Sequence, residues 1–357
     1  MNKQKSTKKK EILGKIKHCY DKGTLVPFIG AGFSNNIKGS PTWEDFIKEL
    51  SKDLEKEEGF LLKEFEKGQN RNLRASEYYI YKKGNGDFQE GKKVFQRKLE
   101  NIFKIKYTKN EQWNIHNIIV NLENIPLIYT TNWDDFLEKA VKGNDKEIIP
   151  IYQQSDFPQL RRNNIEDKKI IIKFHGDYQE KHLDTIIASE LDYHKRMLEM
   201  NFLDIKFHYD LTHYNFIFMG FSFNDMNINY LLNAYYQVLE RFDNHETFPD
   251  HYILTVESSS NLTLNLIERK GIIPYYLLSD ETIKRFEDKK KDIWNTFNSE
   301  KAEENSSKGL ESIAKKREKE LDKLKDDKLT EIRKAYQLFF EELKKRRQQS
   351  GCRFLRE

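Results

Sequence analysis

Four short stretches of this sequence carry residues able to do chemistry, and each directly follows an apolar run. The first is Gly30-Ala31-Gly32-Phe33-Ser34. A glycine turn between a strand and a helix lets backbone N–H groups meet an anionic phosphate with no side chain in the way, and Ser34 adds a hydroxyl. Asn35 stands where a GxGxxG fingerprint has its third glycine, and no acidic residue follows at a second strand end. A tight turn without a ligand is therefore the competing explanation. The second stretch, Thr130-Thr131-Asn132-Trp133-Asp134-Asp135, offers an amide and carboxylates to a ligand, or simply a helix N-cap. The third, Lys173-Phe174-His175-Gly176-Asp177, presents an imidazole that works as a base near neutral pH, although histidines in such positions are more often structural. The fourth is Met219-Gly220-Phe221-Ser222-Phe223-Asn224-Asp225, where Ser222 suits a ribose or phosphate and Asp225 suits a helix cap.

The elements that must position these groups are legible as short apolar runs at Leu25–Ile29, Pro126–Tyr129, Ile170–Phe174, Asn215–Met219, His251–Val256 and Ile272–Leu278. They read as buried strands. Helical spacing fills Trp43–Leu54, Trp113–Leu122, Trp133–Val141, Leu191–Leu211, Asn227–Leu239 and Leu262–Arg269. Uninterrupted apolar strands alternating with helices predict an α/β fold of the Rossmann-like, doubly wound kind, its sheet mostly parallel and covered on both faces. Ligands of such sheets bind beyond the strand C-termini, so the four stretches share one crevice. The charged sequence at about 57–108 reads as an inserted helical module, with Lys82–Asp87 as an exposed loop. Residues 1–22 form a basic arm and helix, 23–280 the main domain, and 281–357 a charged helical region. Its broken apolar stripe, from Leu310 to Leu343, is too short for a sustained coiled coil and suits packing back on the protein's own core at least as well as assembly or partner contact.

Bulk properties exclude several classes. The 357 residues hold 62 basic and 58 acidic side chains for a net charge of +4, which gives weak support to direct nucleic-acid binding. Basic clusters at the N-terminus and at Lys344-Lys345-Arg346-Arg347 read as solvated ends. The two cysteines, Cys19 and Cys352, form no CxxC pair, so neither a disulfide framework nor a thiolate zinc site can be drawn and no metal is expected. With no run of about 18 apolar residues and no signal-peptide core, the expectation is a cytoplasmic protein without membrane contact.

In their order, GAGxS, TxNxD, HG and GxS, these residues resemble the sirtuin-like superfamily over about Leu25 to Leu278. The resemblance implies NAD as the bound substrate. Gly30, Ala31, Gly32 and Ser34 would cradle its pyrophosphate, Asn132 and Asp134 would face the nicotinamide ribose and carboxamide, Gly220 and Ser222 the adenosine side, and Thr131 would be a further cofactor-binding residue. His175 matches the catalytic histidine. Sirtuin deacylases carry a four-cysteine zinc module between the His-Gly and GxS strands, and this interval has no cysteine. His208 and His213 do not replace it, being five apart on the expected helix. Ser189 opens a long helix there instead, and Gly39-Ser40-Pro41-Thr42-Trp43 lacks the arginine-containing loop of deacylases. These departures resemble the bacterial sirtuin-like effectors of anti-phage defence.

The resemblance therefore implies an NAD+ hydrolase that cleaves the nicotinamide–ribose bond, with Asn132, His175 and Asp134 as catalytic residues. Asn132 would orient the water or the ribose, His175 would act as base, and Asp134 would steady the departing nicotinamide. Two other readings are protein deacylation or ADP-ribosyl transfer, and a non-catalytic nucleotide-sensing scaffold. Expected partners are further copies of the chain, a homo-oligomer, and a defence partner such as a HerA-like ATPase or an Argonaute-type protein. The sequence has no GxxxxGK[ST] motif of its own.

Overall fold

A computed structural model describes all residues except 1, 38, 67–69, 104–113, 126, 143–145, 161–167, 180–184, 200, 242–247, 258–260, 305 and 346–357. The chain divides into two compact units, Met1–Tyr276 and Leu277–Glu357. In the first unit the order is α1 (Asn2–Asp21), β1 (Leu25–Ile29), α2 (Ala31–Ser34), α3 (Trp43–Asp53), α4 (Phe60–Glu64), α5 (Arg71–Lys83), α6 (Phe88–Phe103), α7 (Ile115–Val120), β2 (Leu127–Thr130), α8 (Phe136–Lys142) and β3 (Glu147–Ile151). After a 3-10 turn at Gln154–Leu160 come β4 (Lys168–Lys173), α9 (Glu190–Leu198), α10 (Phe202–Leu211), β5 (Asn215–Met219), α11 (Met226–Leu239), β6 (His251–Thr255), α12 (Leu262–Arg269) and β7 (Ile272–Tyr276).

The seven strands form one sheet in the order β3-β4-β2-β1-β5-β6-β7, with every pair parallel. From β1 the chain passes to β2, then to β3 at the edge and back to β4 between them, before crossing to β1's other edge with β5. The end of β1 is thus the topological switch point, where such sheets bind ligands. Uninterrupted apolar strands such as LVPFI and NFIFM are stable here because helices cover both faces. Phe28 lies at the centre, fully buried, its ring 6.0 Å from that of Tyr129 and 5.2 Å from that of Phe218. A second core joins α3, α4, α5 and α6 through Phe46, Leu61, Tyr79, Phe95 and Leu99, and Trp133 belongs to it.

Several expectations change. The sheet has one more strand than expected: β3 is an edge strand, partly exposed and interrupted by Pro150, which breaks the apolar run but is tolerated where one edge is unpaired. His175 therefore follows the fourth strand, and the four stretches end β1, β2, β4 and β5, which are not consecutive in the chain but are neighbours in the sheet. The long helix expected over Leu191–Leu211 is two helices. Ser189 caps α9 as expected, but Asn201 is extended and caps α10 by accepting from Asp204 N, so the backbone breaks between them. His213 consequently lies past the end of α10, not on a shared helix with His208. The helix expected from Trp133 begins at Phe136, and Trp113, like Arg346, Arg347 and Cys352, lies outside the described residues.

The second unit contains α13 (Asp280–Glu303) and α14 (Ser307–Lys344), packed on each other. The Arg317 guanidinium lies 4.3 Å from the Phe297 ring centroid and 4.8 Å from that of Trp294. Tyr336, Phe339, Phe340 and Leu343 are buried, whereas Leu310 to Ile332 of the apolar stripe are only half-buried. Among the described residues no helix is long and apolar enough to cross a membrane.

Burial also fixes how the protein responds to acid. His116 packs edge-on against Phe33 and Phe136, with neither ring nitrogen hydrogen-bonded, and burial pushes its pKa down to about 3. His251 is likewise held at about 3. An unfolded chain takes up these protons near pH 6.5, so the stability they leave intact above that pH is lost as the pH falls toward about 3. His116→Phe keeps the ring packing and removes one such group. Its Tm should exceed that of the wild type by more at pH 5 than at pH 8; an equal difference at both would show that His116 takes no part.

Candidate functional site

The end of β1 packs directly on the end of β5. Gly30 N donates to Met219 O and Gly32 N to Gly220 O, both at 2.9 Å. A Cβ on Gly30 would lie 2.6 Å from Gly220 O, one on Gly32 2.9 Å from the same atom, and one on Gly220 2.0 Å from Phe33 N. Gly220 also has φ +62°, a left-handed conformation that disfavours any side chain. Three glycines of two motifs are thus required by one backbone crossing. Ala31 and Gly32 remain exposed at its rim.

From this crossing α2 aims Ser34 at the end of β2. Asn132 Nδ2 donates to Ser34 Oγ at 2.9 Å and to Gly30 O at 3.3 Å, and Ser34 Oγ donates to Asp134 Oδ2 at 2.8 Å. Thr130 Oγ1 accepts from Asn132 N and donates to Ile29 O, and Thr131 N donates to Ile29 O, which sets the turn after β2. Asp134 Oδ1 accepts from Phe136 N, so one oxygen holds the start of α8 and the other holds Ser34. Burial raises the Asp134 pKa, with Lys173 and the Ser34 hydroxyl opposing it. Asn132 Oδ1 is buried without a hydrogen-bond partner, an acceptor left open beside the glycine turn.

On the neighbouring strand, β4 delivers His175, 4% exposed. Gly176 follows with φ +79°, where a Cβ would meet Thr185 at 2.4 Å, so only glycine can make this turn. His175 Nε2 lies 3.4 Å from Asp225 Oδ2, and Nδ1 lies 3.5 Å from the Tyr193 hydroxyl. Burial pushes the His175 pKa down to about 4, against the opposite pull of Asp225, and Arg196 adds to the depression. The imidazole is neutral at physiological pH and so able to accept a proton.

Between the two halves lies a cation with no exposure at all. Lys173 Nζ donates to the Asp134 carbonyl and sits 3.0 Å from Asp177 and 3.3 Å from Glu138. Burial opposes its charge, but Asp177, Glu138 and Asp134 outweigh that and raise its pKa. Burial also pushes Glu138 up to about 7, although Lys173 pulls it down. Lys173, Tyr193 and Glu138 were not among the sequence candidates. A lysine at the end of the run Ile170-Ile171-Ile172 with an aspartate four residues on was the available signal for Lys173; Tyr193 gave none. The structure therefore joins Gly30, Gly32, Ser34, Asn132, Asp134 and Gly220 in one hydrogen-bonded and packed group. His175 belongs to a second group at the adjacent strand end, and Ser222 is exposed on the turn after β5. Among the described residues no cluster of three or more His, Cys, Asp or Glu has a metal-binding arrangement.

A parallel Rossmann-like sheet whose switch point carries this glycine crossing, an asparagine, a histidine and a GxS turn defines a sirtuin-like domain. Residues 126–275 match the SIR2-like domain family. It is 27% identical over 220 residues to the NAD(+) hydrolase ThsA of Bacillus cereus (strain MSX-D12), covering 60% of this chain and 40% of that protein. It is 26% identical over 230 residues to the NAD(+) hydrolase ThsA of Cytobacillus dafuensis, covering 63% and 40%. It is also 24% identical over 268 residues to Defense-associated sirtuin 2 of Bacillus subtilis, covering 73% and 24%. The chain thus spans 40% of the length of these two hydrolases.

The crossing gives a direct test. In Gly220→Ala the new methyl meets the Phe33 amide and the backbone is forced to hold a side chain at φ +62°. The expected loss of stability is about 3 kcal/mol or more, read as a lowered urea midpoint. Gly23→Ala, also at positive φ but with open space around it, should lose only about 1 kcal/mol.

Proposed function

We propose that this protein is an NAD+ hydrolase that cleaves the nicotinamide–ribose bond and, by depleting NAD, serves anti-phage defence. The observation that carries the reading is the pairing, on adjacent strands of a SIR2-like domain, of an asparagine with an open buried acceptor and a neutral buried histidine. The names of the ThsA relatives support the same chemistry.

Bond cleavage builds oxocarbenium character at the anomeric carbon, so the site must hold the ribose and an attacking water in place. Asn132 Oδ1 accepts from a ribose hydroxyl or from that water. Water adds at the anomeric carbon, nicotinamide leaves as a neutral molecule, and the proton lost by water passes to His175. Asp134 is committed to Ser34 Oγ and Phe136 N, so its role in this reading is to hold Ser34 and Asn132 in place. The exposed Ala31–Gly32 rim and Ser222 face the pyrophosphate and adenosine sides. The helical unit from Leu277 onward serves self-assembly or contact with a defence partner.

Nicotinamide release from NAD+ by the purified protein, read by chromatography, tests this. His175→Ala and Asn132→Ala should each lower the rate by roughly 100-fold or more. If the wild type releases no nicotinamide with or without infected-cell extract, or if both variants match it, the reading is wrong. Because His175 is neutral down to about pH 4, kcat should hold nearly level from pH 7.5 to 5.5, the range over which an unperturbed histidine would pass from mostly neutral to mostly protonated.

A further inference from the structure

Two helices converge on the His175 ring. From α9 come the Tyr193 hydroxyl and, behind it, Arg196, which is ion-paired at 2.9 Å to Asp204 of α10 and lies 4.0 Å over the Phe174 ring. From the head of α11 comes Asp225. Asp225 is fixed at both oxygens: Oδ1 accepts from Ile228 N at 2.9 Å as the helix cap, and Oδ2 accepts from the Tyr193 hydroxyl at 2.8 Å. The Tyr193 ring also packs edge-on against the imidazole, with centroids 5.3 Å apart. Next to Asp225 Oδ2 lies His175 Nε2, buried and without a formed hydrogen bond.

We propose that Asp225 is a positioning residue for His175: it orients the ring and keeps its proton on Nε2, which leaves Nδ1 as the nitrogen that takes up a proton. A lone pair on Nε2 would point at a carboxylate oxygen 3.4 Å away and be repelled, whereas an N–H there is attracted. The Tyr193 proton is spent on Asp225 at 2.8 Å, so the hydroxyl 3.5 Å from Nδ1 offers that nitrogen no proton and its lone pair stays available. Burial and the adjacent carboxylate hold Tyr193 well above its ordinary pKa, so it remains a donor throughout the working range. Helix capping explains Oδ1 alone; the Tyr193 and His175 contacts both fall on Oδ2, which capping does not use.

The orientation stands apart from the hydrolase reading, and only its catalytic consequence rests on it. Asp225→Asn separates the two. Its carbonyl must stay on Ile228 N to cap α11, so the amide NH2 takes the place of Oδ2 and donates to Nε2, forcing the proton to Nδ1. In 15N-labelled full-length protein at pH 7, with His175→Gln used to assign the signal, the wild type should show the Nε2–H tautomer and Asp225→Asn the Nδ1–H tautomer. Asp225→Ser, which keeps a capping oxygen and deletes Oδ2, should show a mixture. On NAD+, Asp225→Asn should lower kcat at least about tenfold with KM within about twofold. An unchanged tautomer in Asp225→Asn overturns the proposal whether or not the protein hydrolyses NAD+. A moved tautomer with unchanged kcat, in a wild type that does hydrolyse NAD+, removes its catalytic part.

Discussion

The site depends on one steric fact: the chain leaving β1 and the chain leaving β5 cross with their backbones in contact. Gly32 N bonds to Gly220 O, and the space a Cβ would need at Gly30, Gly32 or Gly220 is already filled by the opposing main chain. This contact fixes the start of α2, and α2 fixes Ser34. Ser34 then receives Asn132 and holds Asp134, so the turn after β2 takes its shape from a crossing made by its neighbours on the far side of β1. A change at Gly220 would reach Asn132 both through Gly30, whose carbonyl accepts from Asn132 Nδ2, and through Gly32, α2 and Ser34.

The second constraint is electrostatic. Lys173, Asp177, Glu138 and Asp134 are all buried near one point, and a charge in that setting survives only when paired. Lys173 meets two carboxylates and the Asp134 carbonyl, which ties the end of β4 to the turn after β2. The asparagine and histidine halves of the site are joined through this cation. Removing it would leave carboxylates unpaired in the interior, which costs more than the pair itself contributes. With Glu138 pushed up to about 7, the cluster sheds one negative charge near neutral pH and relieves part of the excess of acid over base.

Much of this was legible in the sequence because the central strands are buried on both faces, so their apolar runs are uninterrupted, and the ends of β1, β4 and β5 are marked by glycine. β1, β5 and α12 have the bounds their patterns suggest. β3 was hidden because an edge strand needs no continuous apolar run and accepts Pro150. The break between α9 and α10 was hidden because Leu198 and Phe202 carry the apolar spacing across it, although both are exposed. The candidate residues were found from their place at strand ends. Their pairing was not, because Tyr193 and Asp225 reach His175 from helices separated by β5, and periodicity carries no information on such contacts.

The glycine turn shows how one pattern can satisfy two requirements. The amides of Gly30 and Gly32 are bonded to β5, so these glycines would be needed even in a protein that bound no phosphate. The chemical information lies instead in what the crossing leaves unsatisfied and in how the histidine is kept neutral. Asp225 at 3.4 Å favours the charged imidazole, yet burial outweighs it, and the Arg196 guanidinium pulls the same way as burial. Pairing Asp225 with Tyr193, and Arg196 with Asp204, spends most of each charge elsewhere. The ring therefore lies beside a carboxylate and still stays neutral at physiological pH.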